Sequence, residues 1–501
     1  MLKSLTFDKE GVIMSKERKA AEKAKKAEKR ALKAEKRAEE TKAYADDIAT
    51  QKKIQEGAQK KVLLKAQLLF NAVKLNHIEV VRKLAHDGYA NIGVDQEHNS
   101  ALHYAAALDH VEIAEILLEF GCSHSKKSST GNTPLHNAIF ENASKEMIEL
   151  LLSKGAEIEV KNDLGHSPLH ILISRDRPDV VRLMLERVKD INFQSSEKFA
   201  PIHFATALSK IDIMKLLIDA KANIDTQDES GNTALHHAAY NGDVEAIDLL
   251  MRSGADFSIK NSFGMNPMHW AARHKVTSSI AKMLEFEVSI DEIGYKVNTP
   301  LLEAINSDNL ELVDLLISKG ADIKIKNEKG KSAINLALFK SSIEVIKRVL
   351  DAGADINEAG YYGRSPIHEA AIRRDAEIIK LLISKGVNLE LLDGYKSTPL
   401  CIAIGTNNLE IARILLEAGA NVNGAGEGHM IPIIEASHNM NIEAIELLLT
   451  HGARLDFRDE DSRNPIHLAS AAGNLEVLEL ILSYGADLNA RAKGGYLPLH
   501  F

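Results

Sequence analysis

The chain is 501 residues long, with a formal net charge of −9, 27% charged residues and only 5% aromatic residues. It contains no apolar run of about 18 residues, so nothing in it reads as a membrane-spanning helix. The opening MLKSLTFDKEGVIM has too short an apolar stretch for a secretory signal. The expected location is the cytoplasm, or the outside of the cell by a route without a classical signal peptide.

Residues 1–14 read as a disordered leader, and residues 15–60 as a charged helix rich in Lys, Glu and Ala. Those residue types are the strongest helix formers, and Glu22 with Lys26 and Lys36 with Glu40 fall at supporting spacing. Ala20, Ala24, Ala27, Ala31, Ala34 and Ala38 recur in steps of four and three, the seam of a coiled coil. Alanine buries little area, so oligomerisation through this seam is expected to be weak and a solitary solvated helix is the preferred reading. From Lys16 to Arg37 eleven Lys or Arg face four Glu, a net of +7, which leaves −16 for the rest. Such an arm suits an anionic partner or the acidic body of its own chain. No aromatics are interleaved there for stacking on bases, so nucleic acid is disfavoured.

Residues 61–99 read as a degenerate capping repeat, in which Leu68, Leu69, Ala72 and Val73 fall one period before Ala101, Leu102, Ala105 and Ala106. The full pattern is plainest at Gly231–Asp256. Thr233 caps a short helix carrying Leu235, Ala238 and Ala239, and Asn241-Gly242-Asp243 breaks it. Val244, Ile247, Leu249 and Leu250 stripe a second helix that Gly254 ends. Taking as marker the Pro or Ala after each cap, from Ala101 and Pro134 through to Pro498, eleven gaps are 33 residues and one is 34. A fixed period of a turn and two helices marks a solenoid, because one thin helix pair cannot bury its own apolar face. Cys122 and Cys401 then lie about eight repeats apart, beyond disulfide reach, and suit a reducing compartment.

The strings Thr133-Pro134-Leu135-His136-Asn137-Ala138 and Gly353-Ala354-Asp355-Ile356-Asn357 resemble the ankyrin repeat. The resemblance implies an all-α repeat solenoid of helix-turn-helix units with β-hairpin-like loops. Twelve repeats occupy 100–489, and a truncated C-terminal half-repeat occupies 490–501. Long arrays of this kind resemble those of intracellular bacteria, which would make the partner a host protein.

Departures from the pattern carry expectations of their own. Ala200, Ile431 and Leu497 stand where the other caps are Ser, Thr or Asn. Val188, Lys221 and Glu287 replace the helix-ending glycine, and a β-branched Val188 disfavours positive φ, so its loop is expected to differ. Leu478, Ile481 and Leu482 are expected to lack a lid at the C-terminal end.

Candidate sites are few. Nine histidines, such as His103, His136 and His236, share one slot of the repeat. Successive slots about 10 Å apart cannot share a zinc, and the resemblance implies that this histidine ties the turn together. Gly424-Ala425-Gly426-Glu427-Gly428 lacks the strand and third glycine of a phosphate loop and reads as a loop tip. Asp456, Asp459, Glu460 and Asp461 lack the calcium loop's glycine and closing glutamate and read as solvated loop charges. Asn142-Ala143-Ser144 is a lone sequon. With neither HExxH nor GxSxG, no catalytic, cofactor or metal residue is expected.

Surface is what remains. In similar proteins the loop tips and the ends of the first helices meet the partner. Carried onto this chain, the tips hold Phe199, Phe263, Tyr295, Tyr361, Tyr362, Tyr395 and Tyr496, and the helix ends hold Phe140, Tyr240, Arg273, Phe339 and Arg373. Large apolar groups on solvated loops suit binding hot spots. The expected function is a non-enzymatic scaffold that binds a partner protein through these tips and a concave face. Two other readings stay open: the targeting region of a longer enzyme or effector, and a structural protein that self-assembles through the N-terminal helix.

Overall fold

The computed structural model describes residues 59–91, 95–424 and 430–501, with scattered helical positions between 36 and 55. The leader, all six alanines of the seam from Ala20 to Ala38, and residues 425–429 of the glycine-rich loop lie outside the described residues. Two units are formed, Met1–Ile171 and Leu172–Phe501. All regular structure among the described residues is helical, so the hairpin-like loops are turns without a strand ladder.

Each repeat makes a first helix of seven or eight residues and a second of up to nine, as in Pro300–Asn306 and Leu310–Ser318. Helices this short are not stable alone in water. Their starts are fixed by side chains that accept free backbone N–H groups: Thr299 Oγ1 from Leu302 (3.3 Å) and Asn309 Oδ1 from Leu312 (3.2 Å). Packing supplies the rest. In the second unit each first helix lies against the next first helix and each second against the next second. Leu235, Ala238, Ile247, Leu250, Leu301 and Leu316 are all 1% exposed or less.

The loops follow from one recurring residue six positions before the marker. Its side-chain oxygen accepts backbone N–H groups of its own turn: Asp228 from Asn232, Asn261 from Phe263 and Met265, Asp459 from Asp461 and Arg463. Three residues later the backbone turns left-handed, at Gly231 with φ +75° for example. A Cβ at Gly231 would lie 2.7 Å from the Ser262 backbone nitrogen, because adjacent tips touch there. The contact is a hydrogen bond from Ser262 N–H to the Ser230 carbonyl (2.9 Å), and Glu328 N–H to Lys296 O (3.0 Å) repeats it.

Val297 occupies this left-handed slot with φ +60°, directly after Lys296 at +55°. A β-branched residue there is strained by roughly 1–2 kcal/mol. Val297→Asn, which tolerates the conformation, should therefore raise stability by about 1 kcal/mol, read as a higher urea midpoint at unchanged slope.

Several sequence expectations are met and others corrected. The nine helix-ending glycines from Gly121 to Gly485 all have positive φ, and Lys221 and Glu287 adopt it as well. Val188 does not: its helix stops at Leu185, and Val188 N–H closes back on Met184 O (3.0 Å). Ala200 offers no capping oxygen, yet its N–H still donates to His203 Nδ1 (3.0 Å), so half of the reciprocal cap survives. Residues 59–74 and Ile78–Leu84 form a helix pair in which Leu69 and Val73 are fully buried. Leu68, aligned with buried Ala101, is 46% exposed, on a side with no further helix pair among the described residues. At the other end Ile481 is fully buried rather than uncovered, on a helix, Leu475–Ser483, that packs against the preceding helix of its own pair; Leu478 and Leu482 are half-buried.

Candidate partner-binding surface

The repeated histidine is a structural strut. In His236 the Nδ1 accepts the Thr233 N–H (3.1 Å) while Nε2–H donates to the Met265 carbonyl of the next loop (2.9 Å). His103 and His368 make the same two bonds, to Asn132 and Ser397. One acceptor and one donor require the neutral ring. Burial pushes His136, His203, His236 and His269 down to about 4.

The other polar candidates are absorbed as well. Asp459 is 8% exposed rather than solvated, because it is the turn acceptor of its loop and also takes Arg463 Nε–H (2.8 Å). Exposed Asp456 faces Arg454 through two bonds. Burial raises the thiols of Cys122, to about 12, and of Cys401, so neither is a ready nucleophile. Among the described residues no group of three His, Cys, Asp or Glu could hold a metal, and no helix is long and apolar enough to cross a membrane.

The loop tips and first-helix ends behave differently. Tyr361, Tyr362 and Tyr395 are 50–58% exposed and stand in a row, with ring centroids 4.0 and 5.9 Å apart. Tyr362 has φ +56°, and the Arg364 guanidinium lies 5.5 Å from its ring. The hydroxyl of Tyr362 raises the pKa of Tyr361. Tyr240 and Phe263 are exposed too, and both meet Trp270, with Phe263 stacked on it at 5.8 Å and Tyr240 at 6.5 Å. His274 completes the group, 4.8 Å from Tyr240.

Not every predicted residue projects. Phe199 is half-buried in a knot with Phe204 and His237, at 5.6 and 5.1 Å. Phe140 is half-buried, and Arg373 donates through Nη1 to the Leu338 carbonyl one repeat back (2.6 Å). Tyr295 is 41%, Tyr496 57% and Phe339 66% exposed, and Arg273 is exposed with Nη1 against Met265 Sδ (3.8 Å).

A family model described as Ankyrin repeats (3 copies) matches this chain in overlapping stretches that run from residue 50 to residue 492. The chain belongs to the ankyrin-repeat family. Arrays of this family are generally protein–protein interaction modules and typically non-catalytic. Ankyrin repeat and SOCS box protein 11 of Mus musculus is 40% identical over 63 residues, 13% of this chain and 19% of that protein. The Notch-regulated ankyrin repeat-containing protein A of Danio rerio is 37% identical over 62 residues, 12% of this chain and 55% of that protein. The chain thus spans between a fifth and just over half of the curated relatives it matches. The crystal structure of the human ASB11 ankyrin repeat domain aligns with 44% of this chain and 98% of its own, at 21% identity and a TM-score of 0.39.

Sequence reasoning about this ankyrin array missed Trp270 and His237, which join the predicted aromatics into groups. Both stand three residues after the marker, as Phe204 does. That slot also faces the loops: His237 Nε2 is 2.9 Å from Asp228 Oδ2. A period-by-period reading of the slot would have found them.

Proposed function

We propose that this ankyrin array works as a non-enzymatic scaffold that binds a partner protein through its loop tips and the ends of its first helices. The observation that carries the reading is the row of Tyr361, Tyr362 and Tyr395, three large rings held at least half exposed on short turns whose backbones are hydrogen-bonded to one another, Gly394 N–H to Tyr362 O (2.6 Å). Tyrosine is enriched among interface hot spots because it offers apolar area and a hydrogen-bonding end at small entropic cost. Tips fixed in this way are ordered before the partner arrives, so association loses less conformational freedom.

The test replaces all three rings. Tyr361→Ala with Tyr362→Ala and Tyr395→Ala should weaken partner binding by about thirtyfold or more, the loss of one or two hot spots. Thermal stability should stay close to wild type, since the rings are exposed. The measurement is recovery of cross-linked partners by the full chain, wild type against the triple variant, followed by affinity for each partner found. Unchanged recovery of every partner rejects the surface.

A further inference from the structure

The cations of the second unit differ in what they meet. Several are paired: Arg252 and Lys282 share Asp248 (2.7 Å each), Arg348 meets Asp314, Lys385 meets Asp351 (2.5 Å), and Lys326 on a loop meets Glu358 (2.5 Å). On the loop and first-helix side, Arg273, Lys275, Lys296, Lys329, Lys331 and Lys340 have no carboxylate within ion-pair distance among the described residues. Five of the six are exposed, on a chain whose net charge is −9.

Arg273, Lys275 and Lys340 line one cleft of about 450 Å³. The two acids in its wall are already engaged by the fold. Glu303 accepts Asn298 Nδ2–H (2.7 Å), and Asp308 accepts the N–H and hydroxyl of Ser342 (2.9 Å each). Aromatic rings accompany the cations. Lys331 Nζ lies 4.4 Å from the centre of the 66% exposed Phe339 ring, and Lys296 Nζ 4.8 Å from that of Tyr295.

We propose that this cleft and the adjoining tips take an extended acidic segment of the partner protein, its carboxylates meeting Lys275, Lys331 and Lys340 and its apolar side chains seating on Phe339. The inference rests on the protein-binding reading above and adds the chemistry of what is bound. Charge complementarity carries it: six cations without a carboxylate partner among the described residues lie on the loop and first-helix side, two of them against exposed rings, in a chain that is acidic overall. Spacing agrees. Repeats advance by about 10 Å, one helix diameter, and an extended strand rises about 3.3 Å per residue, so one acidic residue in three keeps step. A nucleic-acid strand carries a charge on every nucleotide and would press more negative charge on Glu303 and Asp308 than a segment with one acid in three, and phosphopeptide sites cluster arginines where this cleft has one.

The probe is a fluorescein-labelled peptide with Glu at every third position and Leu or Phe between, titrated with the full-length chain by fluorescence anisotropy. The wild type should bind it, more weakly as salt rises, and Lys275→Ala with Lys331→Ala and Lys340→Ala should bind about tenfold more weakly, the loss of three exposed ion pairs. Lys385→Ala, which removes a paired second-helix cation, should bind as the wild type does. The same peptide with Lys for Glu should not bind, a comparison that needs no variant to fold. Absence of binding, equal binding of the charge-swapped peptide, unchanged affinity of the triple variant, or tighter binding of a single-stranded oligonucleotide or a phosphopeptide would each overturn the proposal. Partner recovery that falls with the tyrosine variant but not with the lysine variant would remove this inference and leave the scaffold reading standing.

Discussion

Acidification should unfold the second unit between pH 6.5 and about 4, the range that separates the ordinary histidine pKa from that of its buried struts. His203, His236 and His269 are each lowered from 6.5 to about 4, with burial the largest cause. A proton therefore binds the unfolded chain more tightly than the folded one. The stability these rings confer is complete above 6.5 and declines as pH falls toward 4. The loss is on the order of 3 kcal/mol for each ring. Three rings in one unit approach the whole stability of an ordinary domain. Asp228 acts only below this range. Burial alone would raise its carboxyl, but the bonds from His237 and from the Asn232 N–H outweigh it and hold the pKa below the ordinary 3.8, so its contribution is intact throughout the histidine range and is lost only as pH falls below 3.8. Urea midpoints followed by circular dichroism across this range should fall steeply. A profile flat from 7 to 4.5 would show that the rings are not neutral struts. His236→Gln, which can still accept the cap N–H and does not titrate, should remove one ring's share of the slope.

Replacing the same residue with an apolar one should be the most damaging single change. His236→Leu keeps comparable bulk but leaves the Thr233 N–H and the Met265 carbonyl without their partner, in a place where Thr233, His236 and Met265 are all fully buried. Each orphaned group costs about 1–3 kcal/mol, so about 3–4 kcal/mol is expected, read as a lower urea midpoint at pH 7. His236→Gln should fall in between, because it restores one bond of the two. The ordering wild type, Gln, Leu is the decisive readout. Equal loss for Gln and Leu would mean that ring packing, rather than the two bonds, holds adjacent repeats together.

Much of the fold is visible in the sequence because its rules are local. A cap accepts an N–H three residues away, a left-handed glycine ends a helix of nine residues, and an apolar stripe closes over the helix beside it, so the marker spacing alone yields the helix pairs and their stacking. The histidine slot is local on one side as well, since Nδ1 bonds three residues back; the family resemblance supplied its role between repeats. The candidate surface was half visible. That large rings stand at the tips follows from counting residues to the marker, as Tyr361, Tyr362 and Tyr395 show.

What the spacing could not tell is which side chains remain available, because that depends on the atoms that folding brings against them, some within the same turn and others about one period away. Phe199 folds into a knot with Phe204 and His237, whereas Phe263 stacks on Trp270 and stays half exposed. Arg373 is engaged by a carbonyl of the repeat before it, and Asp459 is drawn inside its turn. Lys282 and Lys385 find carboxylates across the second helices, while Lys275 and Lys340 do not. The sequence by itself determined the family, the helix pairs and the slots. Only the tertiary structure decided which slots face solvent with their chemistry unspent, because hydrogen bonds and ion pairs between repeats depend on the register that packing sets.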